Sequence, residues 1–237
     1  MALVLLVALA CAVSWQGRLG HARDAAVASA RAVAQLTLIA ALLAGIVRSV
    51  PLSLAFVGVM HVVASATAGR RLVRSRRGWW CALPVGAGPL LVVGLLLALG
   101  VVPLSGVALV PVAGILVGGA MTATVLAGRR GLDDLAARRG EVEAALSLGF
   151  EQREAALMVS RPAAAEALVP GLDQTRTVGL VALPGAFVGT LLGGASPVQA
   201  GAVQVLVLVA LLAVQAVAVV LTVELLAREV LRRDQPR

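Results

Sequence analysis

The stretch from Ala202 to Arg233, AVQVLVLVALLAVQAVAVVLTVELLAREVLRR, decides what kind of protein this is. Between residues 202 and 226 its polar side chains are Gln204, Gln215, Thr222 and Glu224, and arginine then recurs at 228, 232 and 233. A helix on a soluble core needs only one apolar stripe, whereas this run is apolar all round and matches the about 17–25 residues that cross a bilayer. Glu224 lies one turn before Arg228, where an i,i+4 pair or snorkelling to the interface accounts for it.

The rest of the chain agrees. Of 237 residues, 60% are hydrophobic and 14% charged, with a mean hydropathy of +0.98; soluble domains carry about 25% charged residues. Further apolar segments at 2–16, 31–48, 51–68, 80–99, 106–127 and 176–194 bring the count to seven. The expected fold class is therefore an all-α polytopic integral membrane protein in the cell membrane. Its short connections, RSVP (48–51), GVVPLSG (100–106) and GASPVQ (194–199), carry the Gly and Pro of tight turns. The first segment, MALVLLVALACAVSW, lacks a basic start and meets its first charge only at Arg18, so it is read as a retained span.

Arginine placement sets the expected orientation, because basic residues concentrate on the cytoplasmic side. With seven alternating spans, Arg18, Arg23 and Arg31, the group from Arg70 to Arg77, the seven from Arg129 to Arg176 and the tail from Arg228 fall on one side. Only Arg48 falls on the other. The N-terminus is expected outside and the C-terminus in the cytoplasm. The high pI of about 11.5 is then a property of the membrane face, with no nucleic-acid partner implied. Trp79 and Trp80 follow the Arg70–Arg77 group, as interfacial residues do.

The one sizeable connection is the cytoplasmic loop at 128–175. Within it Val142, Ala145, Leu146 and Gly149 share one face of a short helix, and Glu141 and Glu143 sit at its positive N-terminal end. Gly149 suits a left-handed C-cap. A second helix, FEQREAALMVS, is expected to break at Arg161-Pro162, with Pro162 starting PAAAEALV. A helix–glycine–helix hairpin with a small apolar face, outside the membrane, suits a soluble protein partner.

Glu143-Ala144-Ala145, Gly149, and then Val159 and Pro162 resemble the EAA loop of ABC-transporter permeases, with Arg161 where that pattern has leucine. The blocks PVAGILVGGAMTA (111–123), EVEAALSLG (141–149) and DQTRTVGLVALPGAFVGTLLGGASPVQA (173–200) resemble the FetB (UPF0014) family of iron-export ABC permeases, which includes plant aluminium-tolerance relatives. Arg31, Gln35 and Leu36, with AGRR after the third span, fit the same family. The resemblance implies seven spans, a coupling loop docked on a separate ATP-binding subunit, an exported cargo of iron or another metal, and a homodimer in the lipid bilayer. ATP and Mg would belong to the partner subunit, with no cofactor in this chain. Gly119 stands where the family usually has Asn, Arg176 where it has Lys, and Ala186-Phe187 where it has two methionines.

Other residues carry two readings each. Gly185, Gly189 and Gly193 share a face of the sixth segment, and Gly114 and Gly118 a face of the fifth. Such faces either pack helices closely or form a moving interface. Pro184 is expected to bend the sixth span. Met60 with His61, and Met121, are candidate metal ligands or ordinary packed side chains. Asp173 is expected as the cap of the sixth span. With no lysine there is no Walker A site, and with only His21 and His61 there is no HExxH motif. Cys11 and Cys81 have no CxxC spacing. No enzyme active site is expected. A secondary transporter or channel without an ATPase would need a charged residue at mid-membrane, and the segments as drawn place none there.

Overall fold

The computed structural model describes residues 1–73 and 75–233, with all their side chains except that of Ala44; Arg74 and Arg237 of the arginine tally lie outside the described residues. The helices are α1 (Ala2–Gln16), α2 (Ala22–Ile46), α3 (Val50–Leu72), α4 (Ala82–Ala98), α5 (Gly106–Ala137), α6 (Arg139–Ser147), α7 (Gln152–Ala165), α8 (Val169–Thr177), α9 (Gly185–Leu192) and α10 (Pro197–Ala227). Short 3-10 turns precede α4 (Arg76–Cys81) and α8 (Glu166–Leu168). Among the described residues the one β feature is an isolated bridge, Val178 with Ala182. The protein is an all-α membrane protein.

Five helical segments are long and apolar enough to cross a membrane: α2, α3, α4 with its leading turn, α5 and α10. α1 is apolar but shorter. The starts follow local chemistry. At α10 the Ser196 hydroxyl accepts from the Gln199 amide at 3.3 Å while Gln199 Oε1 accepts from the Ser196 amide at 3.0 Å, and Pro197 takes the first helical position. That reciprocal arrangement satisfies two amides no helical carbonyl can reach.

α5 is the central post, packed by α3, α4, α7 and α10. Its small residues fix the register. Gly106 lies against Ser53 and Val47, Gly114 against the Met60 methyl, and Gly128 against Leu72, so α3 and α5 run in the same sense. Gly119 lies against Leu211 and Gly131 against Leu226, so α10 runs that way too. The C-terminal ends of all three helices meet at one end of the bundle, together with the 3-10 turn: the Arg77 guanidinium donates to the Glu229 carbonyl at 3.3 Å, and Arg233 pairs with Asp133 at 2.6 Å. Arginines far apart in sequence thus gather at one end. The α1–α2 hairpin stands apart, with no residue of α1 buried and its leucines and valines facing outward.

Four features differ from the sequence expectation. α2 begins at Ala22 rather than near 31, α10 at Pro197 rather than 202, and α5 continues to Ala137, ten residues past the expected 127. Pro162 does not break the second loop helix. α7 runs through it to Ala165, because Ala155, Ala156, Val159, Ser160 and Ala164 are buried along one side and hold the helix across the missing amide. The expected sixth span, 176–194, is not one helix. α8 ends at Thr177, residues 178–184 are non-helical, and α9 is a short helix that Pro184 precedes rather than bends. Gly179 adopts φ +84°, and the residue before Pro184 is disfavoured from helix. Finally, Asp173 lies inside α8, paired with Arg176 at 3.4 Å, and caps nothing.

The broken segment has a definite course. Arg153 meets Glu224, Ser160 and Ala164 lie against Gly131 beside Leu226, Gly171 lies on the Gln215 side chain, and the Phe187 amide donates to Gln204 Oε1 at 3.1 Å. From α7 to α9 the chain therefore climbs antiparallel along α10. The stretch 164–175, expected as part of the loop outside the membrane, runs beside the bundle.

Candidate functional site

At the arginine-rich end, α6 and α7 form a hairpin closed by Gly149, whose φ of +91° is the left-handed conformation expected of it. The Glu151 side chain and Glu154 then form a reciprocal capping box that starts α7. Inside the hairpin Val142 and Ala145 pack on Ala155 and Val159, with Leu135 of α5 beneath. Ala145 and Val159 of the motif are thus the buried hinge contacts, whereas Glu143, Ala144, Gly149 and Pro162 are exposed. Of the expected α6 face, Leu146 stays exposed, as do Leu148, Phe150 and Met158 nearby. A groove of about 550 Å³ runs between Phe150, Arg153, Glu154, Leu157, Met158, Arg161 and Pro162. An apolar floor with charged walls, at the end of a membrane bundle, is the surface a soluble protein would cover.

The hairpin's charges are mostly satisfied within itself. Arg139 Nε donates to Glu143 at 2.9 Å, and Arg138 grips Glu141 through two bonds of 2.7 and 2.6 Å. The Arg138 hydrogen bond holds the Glu141 carboxyl below the usual carboxylate range. Glu143 is exposed and tied only to its own helix, so it can exchange that partner for one on another protein at little cost.

Two attachments tie the hairpin to the bundle. Arg153 donates twice to Glu224 of α10, both bonds 2.7 Å, so Glu224 serves α7 as well as Arg228, the neighbour expected from spacing. Gln152 adds a bond to Glu229 at 3.2 Å. Ala156, Ser160 and Ala164 present a small-residue stripe, and Ser160 and Ala164 meet Gly131 of α5. The i,i+4 spacing of that stripe is visible in the sequence; the Arg153–Glu224 pair, between residues remote in the chain, is not.

The other candidates are dispersed. The His61 ring lies over Gly86 of α4, while the Met60 methyl meets Gly114 of α5. Met121 packs against the core cluster shared by α3 and α5, about 10 Å along α5 from the level of Met60 at 1.5 Å per residue. The three side chains therefore do not converge on one point, and no group of three His, Cys, Asp or Glu residues that would hold an ion occurs among the described residues. Of the small faces, Gly114 makes its close contact within the chain, whereas Gly118, Gly185 and Gly189 have open space where a Cβ would be. Gly193 meets only its own helix's carbonyls.

Comparison with known proteins bears on this arrangement. A family model described as "Uncharacterised protein family (UPF0014)" matches residues 1–231. The chain is 38% identical to the rice protein "UPF0014 membrane protein STAR2" over 220 residues, 92% of this chain and 77% of that one. It is 41% identical to the Arabidopsis "Protein ALUMINUM SENSITIVE 3" over 63% of this chain and 55% of that one. It is 27% identical to the Escherichia coli "Probable iron export permease protein FetB" over 95% and 88%. No solved structure matches the chain.

Proposed function

Since this chain belongs to the UPF0014 family of membrane proteins, we propose that it is the membrane-spanning permease subunit of an ABC transporter exporting iron or another metal ion. A separate ATP-binding subunit would dock on the 141–162 hairpin and supply ATP and Mg; this chain would itself hydrolyse nothing. The observation that carries the reading is the α6–α7 hairpin, which projects an exposed Glu143 and an apolar groove at the arginine-rich end while its inner face is locked to α5 and α10. Such an element can both bind a soluble protein and pass its motion on. The name of the E. coli relative, an iron export permease, supports the cargo and direction. The gathering of arginines at the hairpin's end supports a cytoplasmic position for it.

A second reading has an observation of its own. A gradient-driven transporter would need a charged pair at mid-membrane, and Asp173–Arg176 sits beside the middle of α10. Dependence on an ATPase separates the two. The chain is co-expressed with an ATP-binding protein that carries GxxxxGK[ST] and is encoded beside it, then purified in detergent. The expected result is a stable complex, with Glu143→Lys lowering ATPase recovery at least about tenfold, the equivalent of roughly 1.4 kcal/mol. Absence of any complex sinks the ABC reading. Full binding by Glu143→Lys removes Glu143 from the docking surface.

A further inference from the structure

The arginine-rich end holds a cleft that the α6–α7 hairpin does not use. It opens between the last turn of α3 and the 3-10 turn before α4, encloses about 460 Å³, and is lined by Ala66, Arg70, Val73, Ser75 and Trp79. Gly69 and Gly78 also line it, backbone against backbone, and neither has a side chain to fill it. The Ser75 Oγ is shielded from solvent and has no hydrogen-bond partner among the described residues. A buried hydroxyl left unpaired is costly, so this one calls for a partner from outside the chain. Arg70, Arg71 and Arg76 are exposed, and among the described residues no carboxylate pairs with them. Arg77 donates to a carbonyl, that of Glu229. The cleft thus joins uncompensated positive charge to an unsatisfied hydroxyl, which suits an anion with several acceptor oxygens, such as a phosphate.

The surroundings select the carrier of that phosphate. Arg70 is in the last turn of α3, so residues before it lead into the bilayer. Ala66 lies one turn deeper, about 6 Å at 1.5 Å per residue, and gives the cleft an apolar inner wall. Val63, Val62 and Val59 continue the same side of the helix, and all three are exposed. Trp79 and Trp80 are exposed beside the cleft, as indoles are at the level of lipid headgroups. A free phosphate would meet only the polar mouth, whereas a phospholipid would also cover the valine track with an acyl chain. A headgroup bearing its own cation, such as choline, would set that cation among Arg70, Arg71 and Arg76, so an anionic headgroup fits better.

We propose that this cleft is a binding site for an anionic phospholipid. Arg70 is the charge partner of its phosphate, the Ser75 hydroxyl donates to a phosphate oxygen, and an acyl chain runs down α3 over Val63 and Val59. The bound headgroup bridges α3 and the turn that leads into α4. That turn is joined to the segment after α10 by the Arg77 bond to Glu229, and Glu229 in turn accepts from Gln152 of α7. The lipid therefore braces the end of the bundle on which the hairpin is mounted. None of this depends on the permease reading above.

The chain has three tryptophans, so Trp15→Phe with Trp80→Phe leaves Trp79 as the sole reporter. The full chain is reconstituted in phosphatidylcholine vesicles that carry graded mole fractions of brominated phosphatidylglycerol or brominated phosphatidylcholine. Bromine on an acyl chain quenches an indole that it touches. Brominated phosphatidylglycerol is expected to reach half-maximal quenching at a mole fraction at least about fivefold lower, the equivalent of about 1 kcal/mol for one arginine at an anionic headgroup. Equal quenching by the two lipids overturns the proposal. Arg70→Gln is expected to abolish the preference. Arg71→Gln loses the same charge one residue outside the cleft and is expected to keep it in 0.15 M salt, where exposed charges beyond about 8 Å are screened. Equal loss in both variants makes the attraction diffuse and overturns the site. Ser75→Ala is expected to weaken quenching by both lipids, and unchanged curves remove Ser75 from it. Inorganic phosphate is expected to relieve quenching no more than chloride at equal ionic strength. Relief by phosphate alone would make the ligand a free phosphate and overturn the lipid.

Discussion

Gly69→Ala is the sharpest test of how the arginine-rich end is built. Gly69, in the last turn of α3, lies against the backbone of Gly78 in the 3-10 turn that leads into α4, and a methyl group there would fall on the Gly78 carbonyl, with the Gly78 carbonyl carbon at 2.7 Å and Cα at 2.9 Å. Backbone cannot rotate aside as a side chain can. On its own, alanine for glycine in a helix gains about 1 kcal/mol. Overpacking a tight site costs about 1–3 kcal/mol, and the rigidity of this neighbour puts the cost at the upper end. The net loss should be about 1–2 kcal/mol, which in a chain of this size lowers the melting temperature by about 2–8 °C. The control is Gly118→Ala on α5, which has nothing within 4 Å of the added methyl and should be neutral or stabilising by up to about 1 kcal/mol. Both are read by thermal unfolding in detergent, following tryptophan emission, since Trp79 and Trp80 adjoin Gly78. If Gly69→Ala unfolds no earlier than Gly118→Ala, the close approach of α3 to the turn is wrong.

Three further outcomes follow from the same geometry. In a double-mutant cycle, Arg153→Ala and Glu224→Ala should couple by about 0.5–1 kcal/mol, since both groups are partly exposed; additivity within about 0.3 kcal/mol would deny the α7–α10 bond. Glu224→Ala should be the costlier single change, because it also releases Arg228. Gln204→Leu removes the acceptor for the Phe187 amide and should destabilise by about 1–2 kcal/mol, with proteolysis in the 178–192 region rising; unchanged cleavage would place α9 on other supports. Glu141 has a folded-state pKa depressed by Arg138, so its contribution is present above the usual carboxylate range and lost as pH falls through the folded value. The melting difference between wild type and Glu141→Gln should therefore hold from pH 8 to pH 6 and shrink progressively as pH falls below the usual carboxylate range, about 4.3; a difference that does not shrink there contradicts the assignment.

The fold was legible in the sequence where one term dominates. Long apolar runs without charges locate the membrane helices, so α3 and α4 could be drawn to within a few residues, whereas the α10 start fell five residues late and the α5 end ten residues short. The helix–glycine–helix hairpin was legible because Gly149 and the acidic first turn are local signals. What failed was local preference against packing. Pro162 looked like a break, yet the stripe of Ala156, Ser160 and Ala164 on Gly131 keeps α7 helical through it. The apolar run 176–194 looked like a span, and hydropathy cannot report that Gly179 and Pro184 interrupt it. The placement of Asp173 and Arg176 was missed for the same reason. Drawing the span from 176 put both outside the membrane, whereas the contacts of Gly171 and Ser160 show that the climb begins more than a turn earlier.

That displaced boundary changes how force would travel through the molecule. If the loop ended at 175 and a straight helix began there, motion of the hairpin would reach the interior only through the side-by-side packing of α5. Instead α7 passes through one 3-10 turn into α8 and then the break, so the hairpin and the exposed polar stretch belong to one continuous strut. The strut is tied at three places: by Arg153 on Glu224 at its base, by Glu166 to Arg130 of α5, and by Phe187 on Gln204 near its far end. Beside α5 it places Ser160 and Ala164 over Gly131. A segment held on both sides of its break at 178–184 can flex there when its base is turned. α5 and α10 need not unpack for this to happen. The location of the break, at the depth where ionisable side chains are exposed, is where a change in backbone would open or close a path.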